Sequence, residues 1–442
     1  MNKIGHVIDK IVSGTGHLAA LMIMGIALFV FLNSVSRFAG FSLPWLFDIT
    51  TFSMVIMAFI GSGYALREKA HVSVDLVRVH LSPAVGHLLD IFIYLICIIF
   101  FVIIGWTGWE WVLDSYEIGQ VSATSVLKIP IWTITAAIPL GSFFLLLQSL
   151  SALFKLCSGL NRAFFQSVSA KALLTFGITM VALIALCAIA FYLLDPLAAM
   201  FLFVLFVLFA GVPVAFALGI TGCIGLYVFM GGPQMTQIPI LTFQALNSWP
   251  LTAAPLFILG GMLMSEAKIA EKVFLFIETL FVRVPSPLLM ATIISGGIFC
   301  AITGSSVAAT AAIASICLPL LFARGYNKLV SVGVVAGSTV GTLIPPSNGF
   351  ILYGVLTDES IGRLFMAGIG PSIVLFAMYI AYVIGRAILM GEKEREPPQP
   401  VSRKERVARL KEGAWGILAP IIILGGIYFG AFTPTEAGAV LV

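Results

Sequence analysis

Two short stretches of this chain carry the residue types that could hold a ligand. The first runs Ile302-Thr-Gly-Ser-Ser-Val-Ala-Ala-Thr310, and the second Val340-Gly-Thr-Leu-Ile-Pro-Pro-Ser-Asn-Gly349. Both lie inside long apolar runs and interrupt them with residues that break helices. A membrane interior does not tolerate unpaired backbone, so a broken helix survives there only where it lines a cavity or binds something. Two such breaks close in sequence point to a transporter site near the bilayer midplane. At the first break Thr303, Ser305 and Ser306 offer hydroxyls, and Gly304 lets the chain turn. At the second, Gly341 and Thr342 lead into Pro345 and Pro346, which cannot continue a helix and free the carbonyls upstream. Ser347, Asn348 and Gly349 then supply side-chain oxygens and close backbone approach.

Neither break contains a carboxylate or a basic residue. A proton-coupled site would carry an intramembrane Asp, Glu or His. Its absence favours a cation such as Na+, held by backbone carbonyls and by Ser, Thr or Asn oxygens. The N-termini of half-helices at the same points suit a substrate carboxylate. The competing reading is that small residues and Ser/Thr serve helix packing alone. The pairing of two breaks, each flanked by small residues, weighs against it.

The 442 residues are 60% hydrophobic and 10% charged, against roughly 25% charged in soluble proteins. Several apolar runs exceed the roughly 20 residues that cross a bilayer. The chain therefore reads as an all-α polytopic membrane protein. Its net charge of +4 is spread over short loops, which excludes a nucleic-acid surface. The cysteines (Cys97, Cys157, Cys187, Cys223, Cys300, Cys317) and the histidines (His6, His17, His71, His80, His87) show no metal-ligand spacing. No transition-metal site, cofactor or enzyme chemistry is expected, since no nucleophile–base pair or phosphate loop is present.

Around these breaks the chain divides into three parts. Residues 1–156 carry a polar lead (1–15) and four helices at about 17–38, 46–66, 84–112 and 130–156, the last kinked at Pro139. A polar loop from Asp114 to Lys128 separates the third and fourth and is read with Glu110 as one acidic segment. Residues 157–195 hold a Ser/Gly/Asn-rich boundary and a fifth helix at about 172–194. From 196 to 442, Gly, Pro and Thr become frequent inside apolar runs. Here the run 197–230 breaks at Gly211-Val-Pro213, and a helix from about 251 continues toward Arg283. A hairpin at about 287–323 and a broken helix at about 328–357 contain the two stretches above. A helix at about 363–389, a charged amphipathic arm at 392–412 and a last helix at about 414–431 follow.

Loop charge sets the orientation. Basic residues before the first helix (Lys3, Lys10), in the 67–83 loop and in the 155–171 loop alternate with the acidic 110–128 segment. This places the N-terminus in the cytoplasm. Both ends of 287–323 are flanked by positive residues, so that element is expected to enter and leave on one side, as a re-entrant hairpin.

The chain resembles a fused small-plus-large membrane component of the tripartite ATP-independent periplasmic (TRAP) transporters. The large-subunit likeness runs through Gly211-Val-Pro-Val-Ala-Phe-Ala-Leu-Gly219, Pro255-Leu-Phe-Ile-Leu-Gly-Gly261, Ile302 to Thr310, Ile344-Pro-Pro-Ser347 with Tyr353-Gly354, and Phe432-Thr-Pro-Thr-Glu-Ala437. The small-subunit likeness, through Arg67-Glu-Lys-Ala-His-Val-Ser-Val-Asp75, is less specific. The resemblance implies a four-helix scaffold at 1–156, a fusion helix, and the first half of an inverted-repeat elevator-type transporter. It implies Na+-driven uptake of a small organic acid such as a dicarboxylate or sialic acid. The acid would be delivered by a separate periplasmic substrate-binding protein to the bacterial inner membrane. Thr433 and Thr435 become additional candidate site oxygens. Such large subunits carry a second repeat, and this chain stops at Val442 before one. The expectation is a fragment that does not transport alone. Two alternatives remain: a non-transporting scaffold or assembly subunit, and a stand-alone Na+/dicarboxylate symporter of related fold.

Overall fold

A computed structural model of the chain describes residues 2–74, 76–122, 125–158, 195–281, 286–389 and 402–442, with scattered positions between 177 and 189. The described residues form helices and turns with one isolated β-bridge, Val121 to Pro130. Six of the helices are long and apolar enough to cross a membrane. The protein is an all-α, multi-pass membrane protein. It divides into two compact units, one of residues 1–24 and 51–247, the other of 25–50 and 248–442.

The first unit is built on α1 (Asn2–Phe38, of which residues up to 24 belong here), α2 (Pro44–Arg67), α3 (Pro83–Glu117), α4 (Ile131–Thr135) and α5 (Ala137–Ser158). The expected polar lead is helical: Val12 is fully buried, and Asp9 pairs with Lys155 of α5 at 3.0 Å. The third helix likewise outruns its expected end at 112, reaching Glu117. Glu110, Asp114 and Glu117 therefore stand on α3 and not in a loop, and Trp106 donates to Glu110 at 2.7 Å one turn away. The fourth helix divides at Ala136, four residues after Trp132 and three before Pro139. The proline ring removes the hydrogen bond to the carbonyl of Thr135 and crowds it, so the discontinuity falls one turn N-terminal to Pro139 itself.

The run after Asp195 forms two short helices, α6 (Pro196–Phe209) and α7 (Val214–Met230), separated by Gly211-Val-Pro213 as its composition predicts. The break is pinned by Val214, whose N–H donates to the carbonyl of Val72 at 2.9 Å. The short helix α8 (Gln237–Leu246) completes the unit. Its core gathers Val55, Phe59, Leu89, Phe101, Ile138, Val207 and Phe216, with Phe101 and Phe216 edge to face at 4.8 Å. The boundary at 157–171 and most of the fifth helix at 172–194 lie outside the described residues.

The second unit contains α9 (Ala253–Glu266), α10 (Ile269–Leu280), α11 (Pro287–Thr303), α12 (Ser306–Ala323), α13 (Lys328–Ser338), α14 (Asn348–Thr357), α15 (Ile361–Leu389), α16 (Arg403–Tyr428) and α17 (Pro434–Leu441). Of the expected charged arm, residues 403–412 are helical and run into the expected last helix as α16, which bends by 41° between Ala414 and Gly416. Ser402 caps it through the Glu405 N–H at 3.2 Å, and Glu405 pairs with Arg409 at 2.8 Å. These local bonds make helix of a segment whose mixed charges suggested a separate arm. Residues 392–401 lie outside the described set.

Ion pairs fasten this unit, among them Arg409 of α16 to Glu278 of α10 at 3.8 Å. Arg324, in the turn between α12 and α13, reaches Glu278 of α10 at 2.8 Å. Arg37 donates to Glu436 at 2.7 Å and to the carbonyl of Ala431 at 2.8 Å. Glu436 is buried and also closes a capping box with Thr433 at the start of α17.

In the loop after α2, the His71 ring lies 4.7 Å from the Phe216 ring and 3.3 Å, through Nε2, from the carbonyl of Ser62. Burial holds its imidazole below the ordinary value of 6.5, only partly offset by the Ser62 bond. A lowered folded-state value means that the unfolded chain binds the proton more tightly. Stability is complete above about pH 6.5 and falls as pH drops below it. Thermal unfolding in detergent between pH 7.5 and 5 should show this loss, and His71→Gln should flatten it.

Candidate functional site

Helix α11 stops at Thr303 because Gly304 turns left-handed (φ 61°) and its N–H closes on the carbonyl of Cys300 at 2.9 Å. Ser305 bridges to the first turn of α12, and the two helices pack as a hairpin with Gly304 and Ser305 at its tip. At the second break, α13 tightens into a 3₁₀ segment over Thr339–Leu343, then bends through Ile344, Pro345 and Pro346, with a cis Pro345–Pro346 peptide bond, before α14 begins at Asn348. Pro345 and Pro346 lie in this bend, where neither has an N–H to leave unpaired. The 3₁₀ segment presses on α11: a Cβ added to Gly341 would stand 2.6 Å from the Cα and carbonyl oxygen of Gly297.

The breaks meet at one point. A Cβ at Gly304 would stand 2.5 Å from Nδ2 of Asn348, so the amide occupies the space that a side chain at 304 would need. Asn348 is only 8% exposed, and its Oδ1 is buried without a hydrogen-bond partner among the described residues. Unfilled buried acceptors are rare in folded proteins and call for an explanation, a ligand being one.

Beside this contact lies a cavity of about 790 Å³. Gly304, Ser305 and Ser306 line it from the first break, and Thr342, Ser347, Asn348 and Gly349 from the second. Ile258, Leu343, Phe350, Tyr353 and Leu364 complete the wall. None of these is Asp, Glu, Lys, Arg or His. Two helix N-termini, of α12 and α14, open beside the cavity, as do the carbonyl ends of α11 and of the 3₁₀ segment. N-termini favour an anion and carbonyl ends a cation.

The remaining candidates stand elsewhere. Thr303 is buried, and its hydroxyl donates to the carbonyl of Phe299 at 3.1 Å. Gly341, Pro345 and Pro346 are buried behind the cavity wall. Thr433 caps α17 through the Glu436 N–H, and Thr435 donates to the carbonyl of Trp249 at 3.2 Å; neither lines the cavity. The wall residues not named as site candidates from sequence are apolar or aromatic. Tyr353 and Ile258 fall in stretches that carried the family likeness, and Tyr353 lies one turn after Gly349 along α14, so both could have been found. Leu364 comes from α15 and carries no local signal.

Together these features describe an all-helical, multi-pass membrane protein with an uncharged cavity at two paired helix breaks. Residues 199–442 match the family model described as tripartite ATP-independent periplasmic transporter, DctM component, and residues 26–159 match the DctQ component. The chain belongs to the tripartite ATP-independent periplasmic transporter family and joins both components in one polypeptide. It is 26% identical over 399 residues to the isethionate TRAP transporter permease protein DctMQ of Oleidesulfovibrio alaskensis, covering 89% of this chain and 60% of the relative. It is 34% identical over 228 residues to the C4-dicarboxylate TRAP transporter large permease protein DctM of Pseudomonas aeruginosa, covering 51% of this chain and 52% of the relative. It is 32% identical over 240 residues to the sialic acid TRAP transporter large permease protein SiaM of Vibrio cholerae, covering 53% and 54%. The chain thus spans between half and three fifths of the length of these relatives. Each is named a permease, a transport protein and not an enzyme.

Gly304 and Gly349 make a controlled pair. Gly304→Ala sets a left-handed backbone against a new clash with Asn348, and should lower the thermal unfolding midpoint by several degrees, the shift of about 2 kcal/mol. Gly349→Ala, with nothing closer than 3.6 Å to its Cβ and a helical position, should be neutral or slightly stabilising. Scanning fluorimetry of both variants in detergent checks the contrast.

Proposed function

We propose that this chain is the membrane component of a secondary transporter that imports a small organic acid together with Na+, the acid being delivered by a periplasmic substrate-binding protein. The observation that supports it most is the convergence of two broken helices on one oxygen-rich cavity without an ionised side chain. Carbonyls at the ends of α11 and of the 3₁₀ segment, with the hydroxyls of Ser305 and Thr342 and the unfilled Oδ1 of Asn348, suit a dehydrated monovalent cation. The N-termini of α12 and α14 suit an acid group. With no carboxylate or histidine at the cavity, proton coupling lacks a carrier. The relatives named above are called after isethionate, C4-dicarboxylates and sialic acid, each an organic acid, which supports that substrate class. The hairpin α11–α12 moves with the cavity in an elevator step. The basic residues Lys3, Lys10, Lys69 and Lys155, at helix ends and in the loop after α2, support a cytoplasmic N-terminus in a bacterial inner membrane.

Two measurements test this. Thermal unfolding of the purified chain should rise with NaCl relative to KCl at equal ionic strength, by the mass-action stabilisation of a bound ion. Asn348→Ala and Ser305→Ala should remove most of that difference. In proteoliposomes supplied with a binding protein, organic-acid uptake should follow an inward Na+ gradient, in this chain or in one extended through a second repeat. Equal behaviour in NaCl and KCl, together with uptake that ignores the Na+ gradient, would sink the proposal.

A further inference from the structure

A second cavity, of about 330 Å³, lies in the first unit. It opens where the C-terminal ends of α2 and α5 meet the start of α3 and the break between α6 and α7. Its charged side chains are Lys69, Arg78, Lys155 and Asp90, three cations against one carboxylate. His71 also lines it, its imidazole pushed below the ordinary value by burial. Leu66, Ile93 and Cys97 are buried and form an apolar base, while Lys69 and Arg78 are exposed.

The three cations are not equivalent. Arg78 is engaged by Asp90 at 2.8 Å, and Lys155 by Asp9 at 3.0 Å. The Lys69 ammonium has no partner among the described residues. Its backbone is left-handed (φ 53°) and closes α2, with its N–H donating to Leu66 at 3.2 Å and that of Ala70 to Ala65 at 2.9 Å. That position is the one where helices end most often in glycine, which takes the conformation without cost. The chain instead sets a long cationic side chain there, beside a cavity whose other two cations already hold carboxylates. Arg78 still has N–H donors beyond the one Asp90 accepts. The chain just after Lys69 is anchored at Val72 by the N–H of Val214 and at His71 by the Phe216 ring.

We infer that this cavity binds the phosphate of an anionic phospholipid, with Lys69 and Arg78 on the headgroup and the Leu66, Ile93 and Cys97 base against the first methylenes of its chains. Basic pockets between helices at the positively flanked membrane face are where such headgroups bind. A volume near 330 Å³ is at the lower end of small-ligand sites and matches a headgroup more closely than a whole lipid. The apolar base distinguishes a lipid from a free phosphate ion, which would gain nothing from it.

Lys69→Gly is the decisive variant, because it removes the cation while relieving the backbone. The full chain in neutral detergent is titrated with phosphatidylglycerol, with phosphatidylcholine and with inorganic phosphate, and followed by thermal unfolding and by native mass spectrometry. Phosphatidylglycerol should stabilise the wild type and remain bound as discrete adducts. Lys69→Gly should unfold no earlier than wild type without lipid, yet bind phosphatidylglycerol about fivefold more weakly, the loss that one near-surface lysine carries. Lys404→Gln, on the exposed start of α16, should bind like wild type. Unchanged binding in Lys69→Gly, or an equal loss in Lys404→Gln, would overturn the site. Equal stabilisation by phosphatidylcholine would overturn its charge selectivity. An equal response to inorganic phosphate alone would overturn the lipid assignment in favour of a soluble anion.

Discussion

The contact between Gly304 and the amide of Asn348 is the constraint on which the second unit turns. In an apolar interior every N–H and C=O must find a partner, and a helix is the usual way to provide one. Here two helices are broken at the same place, so each break must be completed by the other or by a ligand. The missing side chain at Gly304 lets the Asn348 amide approach the tip of the hairpin, and Gly341 brings the 3₁₀ segment onto Gly297. The result is a compact crossing of backbone with polar groups turned toward one cavity. Oδ1 of Asn348 has no hydrogen-bond partner among the described residues, and the residue lines that cavity.

The surroundings of that crossing are arranged to hold it without adding charge. The hairpin is flanked by an apolar core that includes Leu288, Phe299, Cys300, Ile313 and Val334. Charged groups are kept at the ends. Arg324 reaches Glu278 at the base of the hairpin, and Arg37 reaches Glu436 at the capping box of α17. A buried Glu436 with both a guanidinium and two capping bonds is a satisfied group, and removing its partner would leave a carboxylate in a poor environment. These ion pairs position elements, whereas the cavity itself is lined by helix ends, neutral oxygens and apolar side chains.

The first unit follows a different logic. Its helices are long, its core mixes Phe rings with aliphatic side chains, and ion pairs tie one end of it, where Asp9 meets Lys155 and Arg78 meets Asp90 across α1, α3, α5 and the loop after α2. The break at Gly211-Val-Pro213 is tied to that loop by a single backbone bond to Val72. An interrupted helix in an apolar setting is again completed by a neighbour, but here the partner is protein backbone.

Much was legible in the amino-acid order. Run length and apolar content determined that the chain crosses a membrane as helices, because the spacing of helix and bilayer is a matter of local geometry. The breaks at Gly211, Gly304 and Pro345 could be read for the same reason: glycine and proline act on their own backbone. Helix ends were less legible. The start of α1 and the joining of the charged 403–412 segment to α16 depend on Asp9 meeting Lys155 and on the Ser402 cap, and Pro139 acts on a carbonyl one turn away. The cavity wall was legible only in part. Ser305, Ser306 and Asn348 carry polar atoms at marked positions, whereas Ile258 and Leu364 are ordinary apolar residues on distant helices. That Asn348 faces Gly304, and that Thr303 and Thr435 spend their hydroxyls on backbone carbonyls, was decided by tertiary structure alone, because each depends on which surface of a second helix arrives opposite.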